Sequence, residues 1–495
     1  MSESTNVIAR NTRMMMSSQL VTWVSSFVLM SFLPRYLGAE EYGRLYFAIS
    51  LNALAGLVMD LGLTMLVVKE VARNREKVNS LFINGGVLRI IAWAISLAIT
   101  MFFVILSDYP SNTVTIVFIL GLANVFLGVY TLIHRLFVGL EQLQYSSFGL
   151  ILEKVFLAVV GVVALLLGAG ATTIAVVMLL SMTVNFLLSF FFLSKLTKIN
   201  PREYEPSSWP GLLREGFPFM ISGVFGFIYY RIDVMMLSSM TNDAVVGWYG
   251  APYRLFDTLM FFPVILNTTV FPVLSRQFQT SPDKVHTTAR KLLSLTMIGA
   301  VPVAVGMLMV ARPIISLLFG LKEYENSVVL LQVLSASLVL VYVNFVLNTV
   351  LVSYNKQKQV SWIAPIATVI NVTMNLMAIP YFQSNYGNGA IGAAITTAFT
   401  EMFALSVNIF LLPKGCFGAA DLRAAAKTLG GGLVMAVTIY FMQELFTNWV
   451  VAAIIGCAVY AGVLFSMNIL SGREVKYLIS VLPLRKQTAS STANK

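Results

Sequence analysis

Charged residues, cysteine and histidine are all scarce in this sequence. Asp, Glu, Lys and Arg make up 11% of the 495 residues, against about 25% in a typical soluble domain. So few polar groups cannot cover a soluble protein of this size, whereas lipid accepts an apolar exterior. Two cysteines and two distant histidines provide neither a disulfide framework nor a metal-binding spacing. Because no Gly-Lys dipeptide occurs, a phosphate-binding loop for ATP hydrolysis is excluded.

Long apolar runs fill most of the chain, which is 58% hydrophobic. A membrane-spanning helix needs about 20 mainly apolar residues, and about fourteen runs meet that length. The sequence therefore predicts an all-α integral membrane protein of about 14 transmembrane helices. The predicted spans are 17–34, 45–68, 81–106, 113–134, 146–168, 172–194, 215–240, 246–272, 292–311, 327–353, 361–382, 389–412, 427–445 and 449–470.

Lysine and arginine alternate between the two sides of these spans. Most of them fall in every second connecting segment, and the opposite segments hold only Arg35, Arg44, Arg312 and Lys322. By the positive-inside rule, both termini are expected to be cytoplasmic in a multi-pass protein of the cell inner (plasma) membrane. The net charge of +11 is thus attributed to membrane anchoring, and no nucleic-acid partner is expected.

Three pairs of segments suggest an internal repeat. They are LGAEEYGRLYFAISLNAL from Leu37 with TNDAVVGWYGAPYRLFDTL from Thr241, LFVGLEQLQYSSF from Leu136 with VLVSYNKQKQVSW from Val350, and LGAGATTIAVV from Leu167 with YGNGAIGAAIT from Tyr386. Chance similarity between apolar segments is the alternative. A repeat of six spans predicts two parallel six-helix lobes around a central cavity, at 1–199 and 200–412. Two extra helices and a cytoplasmic tail then occupy 413–495.

Nine ionisable residues lie within the predicted spans, where each should face a partner or a wet cavity. They are Asp60, Arg89, Glu153, Lys154, Arg231, Asp233, Arg254, Asp257 and Glu401. One hypothesis is that Arg231, Arg254, Arg89 and Lys154 bind an anionic head group, because a guanidinium fork matches phosphate oxygens. The alternative is that Asp60–Arg89 and Arg254–Asp257 are ion pairs that only fix helix packing. For Glu153–Lys154, a snorkelling pair at the rim of the cavity is the interpretation.

A second set of polar residues suggests ion coupling. Asn371 and Asn375 are four apart on one predicted helix, and Thr396 and Thr397 lie on the next. Together with the carboxylate of Asp233, their oxygens could coordinate sodium. Hydrogen bonding between helices is the alternative for the asparagines.

Two further carboxyl groups, Asp257 and Glu401, are candidates for coupling. Glu401 could carry a proton, because desolvation favours the neutral carboxyl group. Apart from a coupling Na⁺ or H⁺, no cofactor is expected.

Several stretches together resemble the polysaccharide transporter branch of the multidrug/oligosaccharidyl-lipid/polysaccharide exporter superfamily over about residues 15–412. They are PRYLGAEEYGRLYFAIS at Pro34, MDLGL at Met59, YYRIDVMMLS at Tyr229, VGWYGAPYRL at Val246, FPVLS at Phe271, ARPIISLLFG at Ala311 and NGAIGAAITTAFTE at Asn388. The resemblance implies alternating access and export of undecaprenyl-pyrophosphate-linked oligosaccharides for O-antigen or exopolysaccharide. A polysaccharide polymerase and other assembly proteins are implied partners.

The lipid II flippases, a sister branch, are similar at one site. Their sodium site uses an acid on helix 7, two polar residues four apart on helix 11 and a threonine on helix 12, which Asp233, Asn371, Asn375 and Thr396 resemble. One ligand here is Asn where an acid is common.

The expected function is therefore a flippase rather than an enzyme, with two alternatives. A multidrug or organic-cation exporter of the same superfamily should favour acids over arginines in its cavity. A membrane-embedded glycosyltransferase or ligase would need a catalytic constellation beside a large loop, and the sequence displays none.

Overall fold

The computed structural model describes residues 2–280, 282–413, 415–446 and 448–469, and within them the chain is helical without strands. This confirms the expected all-α membrane class. The helices are α1 Ser2–Asp60, α2 Leu63–Arg73, α3 Val78–Leu106, α4 Ser111–Gly139, α5 Leu143–Leu166, α6 Ala171–Leu196, α7 Trp209–Met240, α8 Asp243–Leu259, α9 Phe261–Thr280, α10 Pro282–Met309, α11 Ala311–Leu318, α12 Leu321–Tyr324, α13 Ser327–Ser353, α14 Gln357–Val360, α15 Ile363–Tyr386, α16 Ala390–Leu411, α17 Ala419–Leu445 and α18 Trp449–Ser466.

Helix α1 replaces the first two predicted spans. The expected loop at 35–44 is helical, and the break between the two halves is confined to Gly38, with φ 75° and ψ 173°. A residue without a Cβ adopts this backbone conformation without strain. The second half ends at Asp60 rather than at 68, because Leu61 and Gly62 both have positive φ and turn the chain into α2.

The predicted span 246–272 is also divided differently, into α8 and α9. Pro263 has no N–H to bond with the Leu259 carbonyl, so the helical hydrogen-bond ladder is interrupted there. The Tyr342 hydroxyl donates to that carbonyl instead. Within the described residues, 12 helices are long and apolar enough to cross a membrane. The merger in α1 and the break at α8–α9 account for the difference from the predicted count, which stays a prediction.

The helices cluster into two compact units. The first comprises the described residues of Met1–Leu255, Ile315–Leu330 and Ser361–Thr400, and the second those of Phe256–Ile314, Leu331–Val360 and Glu401–Lys495. In the second unit, α17 and α18 pack on α10 through an apolar cluster that includes Met435 and Tyr460. The division at 199 and 412, which was inferred from the repeat, stays a prediction.

In the first unit, α1 approaches its neighbours through glycine at two places. A Cβ on Gly43 would lie 1.8 Å from the Asp243 carbonyl oxygen, and one on Gly247 would lie 1.9 Å from that of Ala39. Arg44 Nε donates to Asp243 Oδ2 at 2.8 Å beside this contact. Only glycine permits such an approach of main chain to main chain.

The second close approach lies at the other end of the same half-helix. A Cβ on Gly62 would lie 2.0 Å from the carbonyl oxygen of Gly216, and one on Gly216 would lie 2.3 Å from that of Leu61. Since Gly216 belongs to α7, the stretch from Gly38 to Gly62 is pressed against α8 at its start and against α7 at its end.

Candidate functional site

A buried carboxylate gathers hydrogen-bond donors from three other helices. Asp233 on α7 is 3% exposed. Its Oδ1 accepts a hydrogen bond from Asn375 Nδ2 of α15 at 2.7 Å. Its Oδ2 accepts from Thr397 Oγ1 of α16 at 2.8 Å and from the Tyr249 hydroxyl of α8 at 3.0 Å. An unsatisfied charge is costly at membrane depth, so these donors stabilise the carboxylate and join four helices.

Asn371 completes this group, which we call the Asp233 cluster. Asn375 Nδ2 also lies 2.9 Å from Asn371 Oδ1, because residues four apart share one face of α15. The structure thus brings Asp233, Asn371 and Asn375 together, but the hydroxyl comes from Thr397 and not from the expected Thr396. Adjacent helix positions point in different directions, and the sequence offered no reason to choose between these two threonines.

One oxygen atom of the Asp233 cluster, on Asn375, has unused lone pairs, and so does that of Thr396, whose hydroxyl is not among the donors to Asp233. Asn375 Oδ1 and Thr396 Oγ1 are buried without a hydrogen-bond partner among the described residues. Buried polar groups are nearly always satisfied, so a ligand that accepts lone pairs would relieve this deficit. Carboxylate, amide and hydroxyl oxygens are the donor types that hard cations prefer. The cluster therefore has the chemistry of a sodium site.

Two of the predicted phosphate-binding arginines meet at one tyrosine. Arg231 Nη1 donates to the Tyr46 hydroxyl at 2.6 Å. The guanidinium carbons of Arg231 and Arg254 lie 5.9 Å and 5.7 Å from the centroid of the Tyr46 ring. Arg231 also lies 5.2 Å from the ring of Tyr253. The sequence grouped the arginines but missed the tyrosines that hold them.

A repeated motif could have revealed those tyrosines. Tyr42 and Tyr46 belong to YGRLY, while Tyr249 and Tyr253 belong to YGAPY. One motif lies in each of the first pair of repeated segments. In each motif the tyrosines are four apart and therefore share a helix face. The rings of each pair are neighbours, with centroids 5.9 Å and 5.1 Å apart.

A cavity of about 250 Å³ lies within the first unit. Helices α1, α4, α5, α6 and α8 line it, mostly with leucine and methionine side chains. Its polar lining includes Ser25, Ser26, Asn52, Asn124, Lys154 and Arg254. Two of the four predicted phosphate-binding residues therefore share one chamber. An apolar chamber with a few convergent polar groups is typical of a small-molecule site.

Lys154 connects this cavity to a buried chain of polar side chains. Its Nζ donates to Glu153 Oε1 at 2.8 Å, and Asn185 Nδ2 donates to Glu153 Oε2 at 2.7 Å. Ser189 Oγ in turn donates to Asn185 Oδ1, and His134 Nε2 lies 3.0 Å from that hydroxyl. Glu153 is thus held by donors on both sides, and the lysine is the member that reaches the cavity.

Arg89 is placed differently from the other predicted phosphate ligands. It is 1% exposed and pairs with Asp60. Its Nη1 also donates to the carbonyl of Gly128 at 2.6 Å and lies 3.0 Å from Thr131 Oγ1. With both terminal nitrogens bonded to protein groups, this geometry favours the ion-pair alternative over head-group binding.

The remaining ion-coupling candidates belong to the second unit. Glu401 is buried, and Asn344 Nδ2 donates to both its Oε2 and its main-chain oxygen at 2.8 Å. Asn408 Nδ2 lies 3.1 Å from Asn344 Oδ1 and extends this network. Asp257 is half-buried near the end of α8. The amide of Asn344 therefore joins Glu401 to Asn408.

Comparison with known families identifies the family of this chain. The model of the family described as polysaccharide biosynthesis protein matches residues 8–278, more than half of the chain. The chain belongs to the polysaccharide biosynthesis protein family. A second model, MatE, matches residues 218–377 of this family member. The expected place of this chain in the polysaccharide branch of the exporter superfamily is confirmed.

One curated relative and two solved structures are similar to this family member. The probable low-salt glycan biosynthesis flippase Agl15 of Haloferax volcanii is 22% identical over 182 residues, which are 37% of each chain. The lipid II flippase MurJ, in an inward closed conformation, has a TM-score of 0.71 at 16% identity and covers 95% of this chain and 100% of its own. An inward-facing multidrug resistance MATE transporter has a TM-score of 0.66 at 16% identity, over 81% and 95% of the two chains. These structures share the fold.

The Asp60–Arg89 pair leads to a stability prediction. Replacing Asp60 with Ala leaves a buried guanidinium without its carboxylate, so we expect a loss of about 3–5 kcal/mol of folding free energy. A second change, Arg89→Met, should restore most of it. Thermal unfolding of the purified protein in detergent measures the loss and its recovery. Replacement of the exposed Glu444 with Ala is the control. An unchanged melting temperature in Asp60→Ala would contradict the structural role of the pair.

Proposed function

We propose that this protein is a flippase that moves an undecaprenyl-pyrophosphate-linked oligosaccharide from the cytoplasmic to the outer leaflet. The observation that carries the proposal is the shared cavity, where Lys154 and Arg254 face one chamber in a chain of the polysaccharide biosynthesis family. Charge-assisted bonds to phosphate are among the strongest polar contacts, and the bilayer interior strengthens them further. The presence of these two basic side chains in one chamber therefore supports an anionic cargo.

The size of the cavity indicates which part of the cargo it would hold. Pockets for drug-sized ligands measure about 300–1,000 Å³, and this one measures about 250 Å³. It suits the phosphates and the first sugar, with Ser25 and Ser26 available to sugar hydroxyls. The rest of the glycan requires a wider state of the protein, and the lipid tail stays in the membrane.

A multidrug exporter is the second candidate, since the MatE model matches part of the chain. An organic cation would be repelled by Lys154 and Arg254 in the same chamber. A glycosyltransferase would need a catalytic group beside the cavity. The carboxylates of Glu153 and Asp233 are instead engaged by amides, hydroxyls or lysine. Both alternatives are therefore less well supported.

The proposed orientation follows the positive-inside rule, with both termini in the cytoplasm of the cell whose inner (plasma) membrane holds the protein. The Gly62–Gly216 contact is then at the cytoplasmic end and the Gly43–Gly247 contact at the outer end. In the described state α1 is in close contact with its neighbour at both of these ends. Alternate release of the two contacts would open the chamber to one side at a time. A polysaccharide polymerase and other assembly proteins would receive the exported unit.

Sodium entry at the Asp233 cluster is the proposed driving force. The cluster offers a carboxylate, amide oxygens and hydroxyls, and the buried Asn375 Oδ1 lacks a donor among the described residues. A cation bound there would displace the Asn375 amide and the hydroxyl hydrogens from the carboxylate. Such a change would repack α7 against α8, α15 and α16. Protons carried by Glu401 or Asp257 are the alternative coupling.

The arginines can be tested through transport. We expect Arg254→Ala or Arg231→Ala to lower flipping by about tenfold or more, since one bond to a charged group contributes about 1.5–3 kcal/mol. The rate is measured with a fluorescent lipid-linked oligosaccharide in vesicles, together with surface polysaccharide in cells at matched protein abundance. Arg423→Ala, an exposed arginine on α17, is the control. Normal polymer with either arginine change would count against the proposed head-group contacts.

The coupling ion can be tested in the same vesicles. A sodium gradient should accelerate flipping by the natural protein and have no effect on Asp233→Asn, because the neutral amide no longer balances a bound cation. A sodium gradient should still accelerate flipping by the Glu401→Gln variant. If flipping responds to a pH gradient and not to a sodium gradient, sodium coupling is wrong. Glu401 and Asp257 would then be the candidates for coupling.

The two glycine contacts predict opposite effects on access. Leucine at Gly247 cannot fit against Ala39, so the outer end should stay open, whereas leucine at Gly216 should keep the cytoplasmic end open. Access is measured as labelling of Ser26→Cys by an impermeant maleimide added to either side, after Cys416 and Cys457 are replaced. Gly223→Leu on α7, where no atom lies within 4 Å of an added Cβ, is the control. Identical labelling in both variants would refute two separate gates.

A further inference from the structure

The pairing of two arginines on one tyrosine suggests a specific role for that tyrosine. We propose that Tyr46 is a positioning residue that holds Arg231 and Arg254 together for the two linked phosphates of a diphosphate head group. The proposal rests on the proposed function for its cargo and adds the residue that distinguishes a diphosphate from a monophosphate.

Tyr46 offers a different surface to each arginine. Its hydroxyl oxygen accepts a hydrogen bond from Arg231 Nη1 at 2.6 Å. Its ring lies near the guanidinium of Arg254, whose carbon is 5.7 Å from the centroid. Aromatic rings attract cations at such distances. Two guanidinium groups near each other repel, and a single side chain that attracts both offsets that repulsion.

The tyrosine is itself held in place. It is 1% exposed, and a Cβ on Gly250 would lie 2.6 Å from its ring, so the ring is packed directly against the main chain of α8. On the other side of Arg231, Tyr253 is fixed by its hydroxyl, which donates to the Tyr230 carbonyl at 3.1 Å. A support that cannot move keeps the cations at a set separation before cargo arrives, which reduces the ordering cost of binding.

This arrangement favours two phosphates over one. A single phosphate can be bound by one bidentate arginine, and it gains little from a second guanidinium at a fixed distance. A diphosphate carries two anionic centres in a short chain and can engage both. Arg254 also lines the cavity with Lys154, so a third cation lies within the same chamber.

The test compares inorganic pyrophosphate with inorganic phosphate on the full-length protein in lipid nanodiscs, by titration calorimetry. Tyr46→Phe keeps the ring and removes the hydroxyl, while Tyr46→Leu removes both. We expect the natural protein to bind pyrophosphate more tightly than phosphate. Tyr46→Phe should weaken pyrophosphate binding by about tenfold and change phosphate binding by less than about twofold. Tyr46→Leu should abolish the preference.

Tyr460→Phe is the matched control, because it also removes a buried hydroxyl, one that donates to the Ile298 carbonyl of α10. It should leave both affinities unchanged. Equal weakening of pyrophosphate and phosphate in Tyr46→Phe, or no pyrophosphate preference in the natural protein, would overturn the proposal. If Tyr46→Leu does not fold, the Tyr46→Phe comparison still decides.

Transport separates this inference from the proposed function. With a diphosphate-linked oligosaccharide in vesicles, Tyr46→Phe should raise KM and leave the maximal rate within about twofold, because uniform binding is lost. A lower maximal rate with an unchanged KM would overturn the positioning role. Failure of the natural protein to move any glycan lipid, with the pyrophosphate preference intact, would instead reject the proposed function alone.

Discussion

A carboxylate buried among membrane-spanning helices must be satisfied by its neighbours, and Asp233 imposes that requirement on much of the first unit. Its partners come from α8, α15 and α16, and each is a neutral donor rather than a cation. Neutral donors stabilise the charge without cancelling it, so the site retains an attraction for a positive ion. The position of these four helices is thereby linked to whatever occupies the site.

The same helices carry the residues proposed to hold the cargo. Arg231 is two residues from Asp233 on α7, and Arg254 follows Tyr249 on α8. The rings of Tyr249 and Tyr253 are neighbours, with one hydroxyl bonded to Asp233 and the other ring beside Arg231. A displacement at the carboxylate would therefore reach the guanidinium group of Arg231 through two packed rings. This short route is a physical basis for coupling between an ion and an anionic head group.

Much of this arrangement could be predicted from sequence, because charge in an apolar run is informative. The cost of burying Asp233 and the four-residue spacing of Asn371 and Asn375 together predicted a cluster. Most spans were recognised by length and hydropathy alone. The choice between Thr396 and Thr397 depends on the rotation of α16 about its axis, which no local pattern specifies. The partners of Arg89 similarly depend on how α3 packs on α1 and α4.

Helix ends were harder to predict where backbone conformation rather than polarity decides them. The stretch around Gly38 contains charged residues and looked like a loop, yet it stays helical apart from one glycine. Asp60 ends its helix because of two positive φ angles, one of them at a leucine, which seldom adopts this conformation. The break before α9 required Pro263 to be recognised as a missing donor inside an apolar run.

The close approaches of α1 to α7 and α8 use main-chain atoms and glycine, not the side chains that line the chamber. The close contacts of α1 and the proposed recognition of the cargo thus depend on different residues. In the proposed flippase, substitutions among Ser25, Ser26, Asn52 and Asn124 would alter which sugar is accepted without disturbing the glycine contacts. A flippase with this arrangement could change its glycan specificity through a few lining residues, while the glycine contacts between α1 and its neighbours stay the same.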